Sequence, residues 1–239
     1  LEQLDLSEIL SKKEKFFISN LVEQIAEDCI FSKLQISGIN SGRSGTLLLL
    51  GYLSKINDTK YRSQLLNEYL QVINDLDDVS NSYTLSNGIA GIAFSLSHIG
   101  ELCNINILLP EHYKKVDIFL DKMLNFSIKE NNWDPLHGYI GIGLYYLSKK
   151  NNLDYNNQIS TIIQALYSSR QNYKGNKTWI TPGFLDSSKD HINFGMAHGV
   201  PGIVSFLAHA ARIGIQKEIC KEMIEDSFSL FESFKNKEI

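Results

Sequence analysis

Four segments of the chain share one form: a polar residue, Gly, two residues, Gly, then an apolar run. The first is Ser41-Gly42-Arg43-Ser44-Gly45, leading into Thr46 to Leu50. The second is Asn87-Gly88-Ile89-Ala90-Gly91, leading into Ile92 to Phe94. The third, His137-Gly138-Tyr139-Ile140-Gly141, leads into Ile142 to Leu144, and the fourth, His198-Gly199-Val200-Pro201-Gly202, into Ile203 to Phe206. The first glycines fall at 42, 88, 138 and 199, intervals of 46, 50 and 61 residues. A period of this length is that of a helix-pair repeat, with connections that lengthen along the chain.

Each Gly-x-x-Gly reads as the first turn of a helix. Ser41, Asn87, His137 and His198 precede the four turns, and Ser and Asn are good N-caps because their side chains accept a free backbone N–H. Glycines three apart share a helix face, which predicts close approach of a neighbouring helix. Each Gly costs about 1 kcal/mol of helix propensity, so a packing or functional reason is required. The apolar runs after the glycines have little polar face, as in helices buried on most sides.

Between them lie amphipathic stretches with a 3.6-residue stripe: Glu14–Cys29, Tyr61–Leu76, Glu111–Ile128, Tyr155–Tyr167 and Gln216–Phe234. Outer amphipathic helices alternating with buried inner ones describe an all-α fold, an α/α toroid. An open solenoid of helix pairs is the alternative. Strand signals are confined to Thr178-Trp179-Ile180 and the loop from Pro182 to His191. The stripe over Gln216–Phe234 is expected to lack an inner partner, and the chain opens on Leu1. Residues 1–239 therefore read as one partial toroid domain.

Bulk properties exclude several classes. The net charge is -4 and the pI about 5.9, so no broad positive field would gather nucleic acid. No apolar run approaches the ~18 residues of a membrane span, and residues 1–15 are charged and amphipathic, unlike a signal peptide. Cys29, Cys103 and Cys220 are odd in number, far apart and without metal-ligand spacing. A reducing, cytoplasmic setting is the expectation, and no metal is assigned to these three cysteines.

If the inner helices start at one level, their N-termini share a rim and favour an anion there. Asp134, four residues before Gly138, and His198, directly before Gly199, fall at that rim. A carboxylate near a histidine is a workable acid–base pair. The competing reading is that both merely cap helices. Spacing alone does not separate His137 from His198. Ser41, Asn87 and His137 are the further candidates for the pocket. His98 and His209, seven residues past the second glycine of their repeats, read as core or helix-end residues.

The stretch from Asn193 to Gly202, Asn-Phe-Gly-Met-Ala-His-Gly-Val-Pro-Gly, closely resembles the signature of the lanthionine synthetase C-like family. The other Gly-x-x-Gly turns, Gly42/Gly45, Gly88/Gly91 and Gly138/Gly141, match it in order, as does Asp134 ahead of the third. The resemblance runs from about Gly38 to Ala211. It implies a toroid of seven helix pairs, of which this chain carries four to five. It also implies a zinc-dependent cyclase of lantibiotic biosynthesis in bacteria. Zinc would convert a peptide Cys to its thiolate, which adds to dehydroalanine or dehydrobutyrine to form a thioether ring. By the same resemblance His198 is the proton donor to the resulting enolate and Asp134 the acidic active-site residue. Implied partners are a precursor peptide with a leader segment, a dehydratase and a peptide exporter.

The family's zinc ligands, two Cys and one His in Cys-Gly and Cys-His-Gly contexts, have no match here. Zinc is thus expected in a complete enzyme but not in this chain, which would be inactive alone. Two other readings are a non-catalytic module that binds a peptide or thiol, and a carbohydrate-active toroid. The latter needs paired carboxylates, Asp134 with Asp186 or Asp190.

Overall fold

The computed structural model describes residues 10–32, 37–78, 82–105, 107, 110–149, 152–181 and 191–235. Inner and outer helices alternate along the chain. The outer helices are α1 (Lys12–Phe31), α3 (Asp58–Asp78), α5 (Pro110–Lys129), α7 (Asn156–Ser169) and α9 (Lys217–Lys235). The inner ones are α2 (Arg43–Ile56), α4 (Ile89–Leu102), α6 (Tyr139–Leu147) and α8 (Val200–Arg212). Successive inner helices pack against one another, α2 on α4, α4 on α6, α6 on α8. This is the all-α helix-repeat architecture of an α/α toroid type.

Burial follows the sequence pattern. Outer helices bury one stripe at helical spacing: Tyr61, Leu65, Tyr69 and Val72 on α3, or Ile159, Ile162, Ile163 and Leu166 on α7. Inner α4 is buried nearly all round, from Ile89 through Ile99. At about 25 cal/mol per Å² of apolar surface, burial on this scale is the main term holding the repeats together.

The stripe over Gln216–Phe234 departs from expectation. Cys220, Met223 and Leu230 of α9 are fully buried, and α9 packs on α8. The stripe of α9 is thus covered by the inner helix that precedes it. Several exposed apolar side chains lie on α1, where Phe16 and Phe17 are 69% and 66% exposed, and Phe228 of α9 is exposed too. Helix α1 is capped by a reciprocal pair: Ser11 Oγ accepts from Glu14 N–H and Glu14 Oε2 accepts from Ser11 N–H.

Among the described residues the strands form a two-stranded hairpin, Gln171–Tyr173 with Asn176–Thr178, which reaches the expected segment only at Thr178. Lys174 and Gly175 form its turn, both at positive φ, the geometry that suits the twist of a hairpin. Trp179 follows, fully buried, with its indole N–H donating to Leu166 O. Thr181 pairs with His191, and Pro182–Asp190 lies outside the described residues.

Candidate active site at the rim of the inner helices

The four inner helices start one residue later than the capping argument predicts. The N-caps are Gly42, Gly88, Gly138 and Gly199, in extended conformation and without a side-chain cap. Ser41, Asn87, His137 and His198 sit one position earlier and cap nothing; their side chains are free for other work. Gly138 and Gly199 answer to their own loops, while Gly141 and Gly202 also meet Leu85 and Pro135 of the preceding repeat. A Cβ on Gly138 would lie 2.1 Å from Asn132 O, and one on Gly199 2.1 Å from Asn193 O. In both cases the obstacle is backbone six residues earlier, which cannot move aside. The same loops close by a second bond, Tyr139 N–H to Asn132 O and Val200 N–H to Asn193 O. First-turn donors are thus spent on the loops, which tempers the expected ring of free N-termini.

Neighbouring turns are zipped through the backbone. Ile39 and Asn40 N–H both donate to Ser86 O, and Leu85 and Ser86 N–H both donate to Leu136 O. These bonds bring the helix starts to one end of the molecule. The next step of the ladder is broken. The residue equivalent to Ile39 and Leu85 in the third turn is Pro135, which has no N–H. Leu136 N–H, which would continue the ladder, donates instead to Asp134 Oδ1, as does His137 N–H, both at 2.8 Å. Asp134 is held in an Asx turn, with Oδ2 pointing to the fourth turn.

That oxygen meets His198 Nδ1 at 2.8 Å. The contact joins residues 64 apart in sequence and fixes the imidazole with Nε2 outward. His198 keeps 45% of its side-chain surface and Asp134 23%, so the pair is open to a substrate. The His137 ring lies beside that of His198, centroids 5.4 Å apart and planes 21° from parallel. His137 Nδ1 meets Ser86 Oγ at 3.1 Å. Asp134, His137 and His198 each offer one donor atom, all within 4.8 Å of one another, so the group could hold a metal ion.

The other candidates separate. Ser41 Oγ donates to Asn87 Oδ1 at 3.5 Å in the first two turns. Among the described residues, no hydrogen bond of theirs reaches Asp134, His137 or His198. His98 Nε2 meets the Tyr52 hydroxyl at 2.8 Å, and His209 is exposed in the last turn of α8. Asp186 and Asp190 lie outside the described residues. Ser86 and Pro135 went unread in the sequence. Aligning the four turns on their glycines would have shown Pro135 as the outlier against Ile39, Leu85 and Met196.

Family-type thiolate zinc ligation finds no match in the described cysteines. Cys29 is on α1, while Cys103 and Cys220 are buried with their Sγ–H groups donating to Gly51 O and Ile215 O. Burial pushes the Cys220 thiol up to about 11. A thiol so placed is a poor ligand.

A cavity of about 690 Å³ lies away from the rim, lined by Ser97, Glu101, Tyr113, Asp117, Lys149 and Tyr155 among others. There Asp117 accepts from the Tyr145 and Tyr155 hydroxyls and Asp121 from that of Tyr146. Burial, with these carboxylates beside them, pushes Tyr145 and Tyr146 far up. The groups tie inner helix to outer helix, and the acid–base pair sits elsewhere.

Residues 37–239 match the family model described as lanthionine synthetase C-like protein. The chain belongs to the lanthionine synthetase C-like family. It is similar to the nisin biosynthesis protein NisC of Lactococcus lactis subsp. lactis, 24% identical over 230 residues, covering 87% of this chain and 52% of that protein. A solved structure of nisin cyclase shares the fold, with a TM-score of 0.64 at 21% identity, over 93% of this chain and 58% of that one. The chain thus spans about half the length of the lanthionine synthetase C-like relatives it matches. Among the described residues no helix is long and apolar enough to cross a membrane.

Proposed function

We propose that this protein supplies the acid–base pair of a thioether cyclase acting on a dehydrated, cysteine-bearing precursor peptide. Membership of the lanthionine synthetase C-like family supports a cyclase-like role. The observation that carries the rest is the contact of 2.8 Å between His198 Nδ1 and Asp134 Oδ2.

In the proposed reaction a peptide sulfur bonds to Cβ of a dehydroamino acid. The π electrons move to the carbonyl as an enolate, and Cα then takes a proton. Zinc, which the family resemblance implies, would supply thiolate activation. His198 Nε2–H donates the proton to Cα. Asp134 accepts the Nδ1–H, orients the ring and balances the charge of the imidazolium. The thiol's proton is lost and one proton is gained at Cα, so the sum is an addition. A positioned acid is worth about 10²–10⁴-fold in rate.

The test is thioether formation by the natural protein on a dehydrated peptide, followed by loss of free thiol. His198→Asn is expected to slow it by roughly 10²–10⁴-fold with helix content unchanged. An unchanged rate in a folded variant would reject His198 as the donor.

A further inference from the structure

His137 takes no part in the reaction proposed above, yet its ring is held as definitely as that of His198. Ser86 Oγ donates its own proton to Thr84 Oγ1 at 3.4 Å. The same oxygen meets His137 Nδ1 at 3.1 Å. Asp134, a carboxylate, accepts from His198 Nδ1. With Nδ1 of each ring engaged, by Ser86 and by Asp134, Nε2 is the nitrogen left to a further ligand.

An imidazole whose far nitrogen donates to a carboxylate or hydroxyl is the arrangement that orients metal-ligating histidines. Here two rings with Nδ1 engaged lie side by side, 5.4 Å between centroids, with a carboxylate in the same cluster. Both histidines are exposed, so an ion can enter from solvent. Two imidazole nitrogens with a carboxylate nearby form a nitrogen–oxygen set suited to a borderline divalent ion such as zinc.

We propose that His137 and His198 bind a zinc-class divalent ion through their Nε2 atoms, with Ser86 and Asp134 orienting the rings and Asp134 balancing the charge. No cysteine is used, so this site is distinct from the cysteine-based set that the family resemblance implies. An ion on His198 Nε2 occupies the atom that would otherwise deliver a proton, so the site is inhibitory. Binding itself does not depend on the cyclase reading.

The chelator-treated chain is titrated with zinc by calorimetry and with cobalt(II) by visible absorption near neutral pH. One ion per chain is expected, with cobalt ligand-field bands and no thiolate charge-transfer band. His137→Ala, His137→Gln and His198→Ala should each weaken binding about tenfold or more, and Asp134→Asn roughly 10–100-fold. A triple Cys29→Ser, Cys103→Ser, Cys220→Ser variant should bind as the parent does. Circular dichroism confirms that each variant is folded; the two His137 replacements are at an exposed position and supply independent checks. No saturable binding, binding that survives both His137 replacements, or a thiolate band would overturn the proposal. None of these outcomes involves thioether formation, so the two proposals fail separately.

Discussion

Pro135 occupies the position from which Leu85, one turn earlier, donates its N–H to Leu136 O in the next turn. The proline ends that ladder, and Asp134 takes over the amide that would have continued it. The carboxylate that reaches His198 is therefore also a backbone acceptor, and its two roles can be separated by substitution.

Asp134→Ala removes the acceptor for Leu136 and His137 N–H and should cost about 1–2 kcal/mol. Asp134→Asn keeps an oxygen for those amides and loses only the charge toward His198, so it should cost less than about 1 kcal/mol. Urea denaturation of the two variants checks this. Equal losses would show that the Asx turn contributes nothing to the fold.

The helix-start glycines face a harder constraint. Gly138→Ala and Gly199→Ala each place a Cβ about 2.1 Å from a carbonyl oxygen of the preceding loop. Backbone must shift, so each should lose roughly 2 kcal/mol or more. Gly175→Ala meets nothing within 4 Å and suffers only from its φ of +87°, a cost of about 1 kcal/mol. Thermal melts should rank the variants in that order.

Much of this was legible in the sequence. The five amphipathic stripes mark the outer helices within a few residues, and the repeated glycines mark the inner helix starts, because helical periodicity and backbone crowding leave direct traces. Asp134 and His198 stood at the rim by spacing. Their meeting was not legible, since it depends on a missing amide donor at Pro135 and on the packing of α6 against α8. The capping role given to Ser41, Asn87, His137 and His198 failed for a related reason: glycine in extended conformation already ends the loop. Coverage of the α9 stripe depended on whether outer helices pair forward or back, which periodicity does not encode.

Lys149 gives a pH-dependent signature. It is 9% exposed, with its ammonium 3.3 Å from the centre of the Tyr113 ring and 4.5 Å from that of Tyr145. Burial pushes it down to about 8, against the pull of Asp117. The unfolded chain, with lysine near 10.5, holds the proton over a wider range. Stability should therefore rise as pH climbs from about 8 toward 10.5. Lys149→Met should flatten that rise and gain about 1–3 kcal/mol near pH 7. Denaturation across this pH range measures both, and an unchanged slope would show that Lys149 is not the group responsible.

The cysteines offer a simple probe of packing. Cys103 and Cys220 are buried and Cys29 is partly exposed. A thiol reagent near pH 8 should modify Cys29 first, with the other two reacting only on unfolding. Mass spectrometry of labelled peptides reads the order. Early labelling of Cys220 would contradict its burial on α9.

The central claim is that His198, held by Asp134, delivers the proton to Cα. A donor fixed on one side of the enolate sets one configuration at that carbon. The most direct measurement is the stereochemistry of the lanthionine formed by the natural protein and by His198→Asn, determined by chiral separation of the hydrolysed product alongside the rate. The account predicts one Cα configuration from the parent. From the variant it predicts a slower reaction giving a mixture of configurations. A variant that forms a single configuration at the parent rate would contradict it.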